Sequence, residues 1–124
     1  MFRLNDEQRM IVETVKRIAA RELAPRAAEL DETAGFPHAS VAAFAENGML
    51  NPLLPAQYGG VDLGLFTFSL ILEEVGRACA ASALLLIAQA DGMLPIIHGG
   101  SELLKDKYLR RLAEDSRQLT ALAA

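Results

Sequence analysis

Tryptophan is absent, and only 6% of the 124 residues are aromatic. A core without large rings must be filled by aliphatic side chains and alanine, which favours helices packed closely through small residues. Cysteine occurs once, at Cys79, so no internal disulfide can form. A reducing compartment is expected, the cytoplasm by default. Lys and Arg number 12 against 16 Asp and Glu, a net charge of -4. With no basic stripe to displace counterions, a nucleic-acid partner is not expected. No charged-then-apolar leader opens the chain, so no signal peptide is expected. Also missing are a glycine-rich phosphate loop, a cluster of metal ligands and a Ser/His/Asp set at workable spacing. The residues alone assign neither a catalytic group nor a metal site.

What is present is apolar: 52% of the chain is hydrophobic. At this length one domain is expected, able to bury about two-thirds of its unfolded surface without staples. The organising stretch is residues 82–98, apolar on nearly every side, which marks a helix sunk among others. Ser82 is its expected N-cap, Gly99 and Gly100 its stop, and Pro95 its bend. A membrane span would need about 20 apolar residues, and Gln89 and Asp91 interrupt this run too early. On a helix Leu84, Ile87, Ala88 and Asp91 share one face. A carboxylate there requires either an arginine partner from a neighbouring helix or a wetted cavity.

The remaining segments read as helices around this one. Asn5 caps the first, with Gln8 three residues on in a capping-box arrangement. Ile11, Val15, Ile18, Ala19 and Leu23 form its stripe, and Pro25 kinks or ends it near Ala24. A turn-rich break is expected from Asp31 to Pro37. A short helix then carries Val41, Phe44 and Ala45 inward and stops at Gly48. Residues 49–64 form a loop packed down by its apolar side chains. Phe68, Ile71, Leu72 and Val75 line a third helix, with Glu73 and Glu74 outward. The last helix starts at Ser101, with Leu104, Tyr108, Leu109 and Leu112 as its stripe. His38 and His98 serve helix ends, and Cys79 acts as a small buried hydrophobe. Residues 118–124 look like the opening of a strand. The fold class is therefore all-α: an up-and-down bundle around a central helix over residues 1–117, ending at the first strand of a missing β domain.

The order of short motifs resembles the N-terminal domain of the acyl-CoA dehydrogenase family. The matching text begins with Leu4-Asn-Asp-Glu-Gln8, Glu22-Leu-Ala-Pro25, Ala28-Glu29 with Asp31, and Phe36-Pro37. It continues through Asn47-Gly48-Met49, Leu54-Pro55, Tyr58-Gly59-Gly60 and Glu73-Glu74-Val75-Gly76-Arg77. It closes with Pro95-Ile96-Ile97, Gly99-Gly100-Ser101, Lys107-Tyr108-Leu109 and Leu112-Ala113. The chain departs from the usual pattern at Ala56, where an acidic residue commonly follows the proline.

The resemblance implies a longer FAD enzyme with this helical domain first, then a β domain and a second helical domain. There a glutamate from the C-terminal domain removes the α-proton of an acyl-CoA thioester while a β-hydride passes to the flavin. An electron-transferring flavoprotein would take the electrons, and homo-oligomers are usual. Neither the base nor the main flavin motif, a Thr-Glu-Pro stretch expected just after Ala124, is within the chain, so this piece alone is expected to be inactive and to hold no FAD. By position the resemblance assigns Ala83, Leu84, Ile87 and Asp91 to the acyl-chain pocket and Leu122 and Ala124 to the approach to FAD. Bulky Leu84 and Ile87 imply short or branched acyl groups, and Asp91 disfavours an anionic tail. Two other readings stand beside this one: a stand-alone helical interaction module, and a related flavin oxidase or monooxygenase.

Overall fold

A computed structural model describes residues 3–123, and among them every regular element is helical. Helix α1 spans Asp6–Ile18 and begins with a complete capping box. Asn5 Oδ1 accepts from the Gln8 N–H at 2.7 Å, and Gln8 Oε1 accepts from the Asn5 N–H at 3.0 Å. A single π turn, Ala19–Leu23, joins α1 to α2, Ala24–Thr33. This is how the chain absorbs Pro25. The widened turn lets the proline sit in the first turn of a new helix, where its missing N–H breaks no ladder bond. The expected break at Asp31 is corrected: the helix runs on through Thr33 and ends only at Ala34, in the left-handed conformation with φ 50°.

Helix α3, His38–Glu46, is short and terminates as expected before Gly48, whose φ of 65° suits a residue without Cβ. The loop that follows is pressed onto the bundle by buried Met49, Leu50, Leu53, Leu54 and Tyr58. A 3-10 turn, Ala56–Tyr58, leads to Gly60, where a Cβ would fall 1.9 Å from the Leu54 carbonyl oxygen. Only glycine lets the loop fold back so tightly.

Helices α4, Gly64–Ala78, α5, Ala80–Gly99, and α6, Glu102–Glu114, complete the bundle. Helix α4 packs on both α1 and α5, α6 packs on α5, and α3 and α4 both meet the π turn. Phe44, Leu23, Leu54, Ile71, Val75, Leu86, Met93 and Leu109 form the centre of one aliphatic core.

Three expectations change at the level of side chains. Ser82 is not a cap: Cys79, extended at φ -158°, precedes α5 without a side-chain bond. Ser82 is instead fully buried, its hydroxyl 2.7 Å from that of Ser40 on α3. The stripe of α6 is rotated, since Leu104 and Tyr108 are exposed while Leu109 and Leu112 are buried. The alkyl stem of Lys105 takes the inner position, its ammonium reaching out to Glu102 at 3.6 Å. Finally, the wrapping of α5 is one-sided. Ser82, Leu86, Gln89, Ala90 and Met93 are buried, whereas Leu84, Ile87, Asp91 and Pro95 are exposed. By length and composition alone α5 could cross a bilayer. Its inner flank is instead part of the bundle core.

Candidate functional site

The apolar character of α5 exceeds what its own domain buries. Leu84 is 66% exposed and Ile87 39% exposed, on the same side as Asp91. Ala83, the fourth residue assigned to this wall, is half-buried and packs against the core from the edge of the flank. The four sequence-assigned residues therefore fall within two and a half turns of one helix and border one open face.

Asp91 stands on that face without an ion-pair partner among the described residues. The arginine partner weighed from the sequence is not supplied by this chain. Four residues on, Pro95 has no N–H, so the ladder bond that would end on the Asp91 carbonyl is missing. One residue thus carries both a free carboxylate and a weakened helical rung. Both are acceptors in an otherwise apolar setting.

Beyond α6, residues 118–123 form no strand among the described residues and run over α5 as an irregular segment. Buried Gln89 holds this segment. Its side-chain Nε2 donates to the Gln118 carbonyl at 3.1 Å, and its Oε1 accepts from the Thr120 N–H at 2.8 Å. The Thr120 hydroxyl donates back to the Gln89 carbonyl at 2.9 Å. Past Thr120, the peptide groups of residues 121–123 find no hydrogen-bond partner among the described residues, and Leu122 is 60% exposed. Leu122, assigned by the resemblance to the approach to FAD, therefore lies on an exposed stretch beyond the Gln89 contacts. Ala124 lies outside the described residues.

In the sequence Gln89 reads only as an interruption of an apolar run. The signal was its position: with Ser82, Leu86 and Met93 it lies on the one flank that the domain buries, where a lone amide must be satisfied. No group of three or more His, Cys, Asp or Glu residues suited to a metal ion occurs among the described residues. An apolar cleft of about 430 Å³ is lined by Met10, Ile11, Val15, Met49, Leu63 and Ile71 among others, and shares no residue with the open face of α5.

Comparison with known proteins gives the family and the fold. The family model for the acyl-CoA dehydrogenase N-terminal domain matches residues 5–116. The chain is similar to cyclohex-1-ene-1-carbonyl-CoA dehydrogenase of Geobacter metallireducens, 60% identical over all 124 residues and 33% of that protein. It is similar also to the enzyme of the same name from Syntrophus aciditrophicus, 50% identical over the whole chain and 30% of that protein. The fold matches the structure of butyryl-CoA dehydrogenase from Megasphaera elsdenii with a TM-score of 0.83, at 24% identity, over 96% of this chain and 32% of that one. The chain spans about a third of the length of these relatives. These matches establish that the chain belongs to the acyl-CoA dehydrogenase family, as its N-terminal helical domain.

Proposed function

We propose that this domain forms the acyl-pocket wall of a longer FAD-dependent enzyme that dehydrogenates a compact, cyclic acyl-CoA thioester. The observation that carries the reading is the open flank of α5. Leu84 and Ile87 present branched apolar surface to a neighbour outside the domain, and Asp91 brings a free carboxylate to the same surface. Two relatives at 60% and 50% identity carry cyclohex-1-ene-1-carbonyl-CoA in their names, and a six-membered ring is a short, wide group suited to such a wall.

The chemistry of that thioester gives Asp91 a task. In a saturated acyl-CoA the acidic hydrogen is α to the carbonyl. A cyclohex-1-ene-1-carbonyl thioester has none there, because ring carbon 1 is doubly bonded. Its acidic hydrogens are vinylogous, on ring carbon 3, where the anion spreads through the double bond into the thioester carbonyl. The base for that proton must stand beside the ring, away from the position that serves an α-proton. In this reading Asp91 takes the carbon 3 proton, and a hydride leaves another ring carbon, so a cyclohexadiene thioester forms. FAD, when bound, supplies the hydride acceptor, with Leu122 and Ala124 on the approach to it, and an electron-transferring flavoprotein carries the electrons onward. Leu84 and Ile87 orient the ring and keep water from it. Residues 118–124 would lead into the β domain of the longer protein, and the whole would assemble as a homo-oligomer.

In the full-length protein, Asp91→Asn is expected to lower kcat on cyclohex-1-ene-1-carbonyl-CoA about 10²–10⁴-fold, the usual worth of a positioned base. Flavin content should be unchanged. Turnover equal to the parent's, or a preference of the parent for long straight-chain thioesters, overturns the reading.

A further inference from the structure

We propose that Gln89 is a positioning residue: one buried amide sets the register of the segment after α6 against the acyl wall, and so fixes Leu122 relative to Asp91. The inference rests on the reading above, in which this segment approaches FAD while α5 faces the acyl group.

Gln89 is 1% exposed, within a flank that is otherwise apolar or bears small hydroxyls. Its Nε2 donates both to Asn51 Oδ1 at 2.7 Å and to the Gln118 carbonyl at 3.1 Å. Its Oε1 accepts from the Thr120 N–H at 2.8 Å, and its own carbonyl accepts from the Thr120 hydroxyl at 2.9 Å. The amide therefore engages the carbonyl of one residue and the N–H of the next but one, the alternation by which an extended chain meets a neighbouring strand. A slip of one residue would unpair a buried donor and a buried acceptor together, which is unfavourable in an apolar setting.

Gly92, three residues on and on the same side of the helix, closes the other direction. A Cβ there would lie 2.6 Å from the Ala121 nitrogen and 2.6 Å from the Thr120 hydroxyl oxygen. The segment is thus held along its length by Gln89 and seated against the helix by the missing side chain of Gly92. Asp91 sits between these two in sequence and points to the open side. Leu122 follows Thr120 by two residues, about 7 Å of extended chain. A shift at the clamp is passed to Leu122 almost undiminished, so one helix sets the positions of the proton-accepting wall and of the flavin-side backbone.

The test uses the full-length flavin-loaded protein and the pair Thr120→Val and Thr120→Ser, together with Gly92→Ala and Gln89→Met. Thr120→Val removes the hydroxyl at nearly constant volume, whereas Thr120→Ser keeps it. Thr120→Val and Gly92→Ala are expected to shift the visible absorption of the flavin and to lower kcat by up to about a hundredfold, the effect of a 1 Å misplacement, while KM stays within about twofold. Thr120→Ser should match the parent in both. Gln89→Met should exceed Thr120→Val in the same readouts; should it fail to fold, the threonine pair and Gly92→Ala decide. Folded variants whose flavin spectrum and kcat are unchanged, with thermal stability alone reduced, overturn the proposal. If the parent does not act on the cyclic thioester, the functional reading falls. The flavin spectra of Thr120→Val and Thr120→Ser still decide the role of the clamp.

Discussion

Two buried hydroxyls show how much a single atom matters in this core. Ser40 on α3 and Ser82 on α5 meet at 2.7 Å, and neither side chain reaches water. Each satisfies the other, and among the described residues no buried side-chain nitrogen or oxygen lacks a partner. Removing one hydroxyl leaves its partner buried and unpaired, whereas removing both leaves nothing to desolvate. Ser82→Ala is therefore expected to destabilise the fold by about 1–3 kcal/mol. The double variant Ser40→Ala/Ser82→Ala should lose less than the sum of the two single changes. Denaturant unfolding of the four proteins measures this coupling directly. Nothing in the sequence pairs these serines, because 42 residues separate them. Ser82 reads as a cap only because a cap is the local use of a serine before an apolar run.

Between elements, the loop is tied to α6 by Tyr58, whose hydroxyl donates to Glu102 Oε2 at 3.1 Å. Burial raises the phenol above its ordinary value of 10.0, and the hydrogen bond to Glu102 and that carboxylate's charge raise it further. A raised value in the folded state means the stabilisation is complete below the ordinary value and is lost as pH climbs through the raised one. Thermal unfolding compared with Tyr58→Phe should show a parent advantage near neutral pH that vanishes at strongly alkaline pH. A pH-independent difference would refute the tie. The elements themselves were legible where their causes are local. The Asn5 capping box, the stop at Gly48 and the disruption at Pro25 each depend on residues within one turn of one another. The α6 stripe was misread because Lys105 counts as polar by type but lies inward by its stem. The one-sidedness of α5 was hidden for a different reason. An apolar flank reads the same whether its own domain or a neighbouring one covers it. That Leu84, Ile87 and Asp91 share one face of one helix was legible from their spacing alone. Gln89 was not, since its partners Gln118 and Thr120 come from beyond the next helix.

Across the molecule, large apolar side chains stand exposed on helices that also build the core. Leu65 on α4, Leu84 and Ile87 on α5, and Leu103, Leu104 and Tyr108 on α6 face outward, as do Met10, Val61 and Leu122 elsewhere. Apolar surface of this extent marks a contact with another body. The 124-residue chain prepared alone is therefore expected to self-associate, its net charge of -4 being too small to hold copies apart through salt screening. Sedimentation velocity over a concentration series should show a rising weight-average mass. Leu84→Glu/Ile87→Glu changes two solvent-facing positions and should restore a monomer with little loss of thermal stability. The same double variant in the full-length protein should abolish turnover of the cyclic thioester, because the charges would face the ring. A parent chain that stays monomeric at every concentration would mean that the open flank of α5 is too small or too curved to hold a partner, and the wall assigned to it would have to be sought elsewhere on the domain.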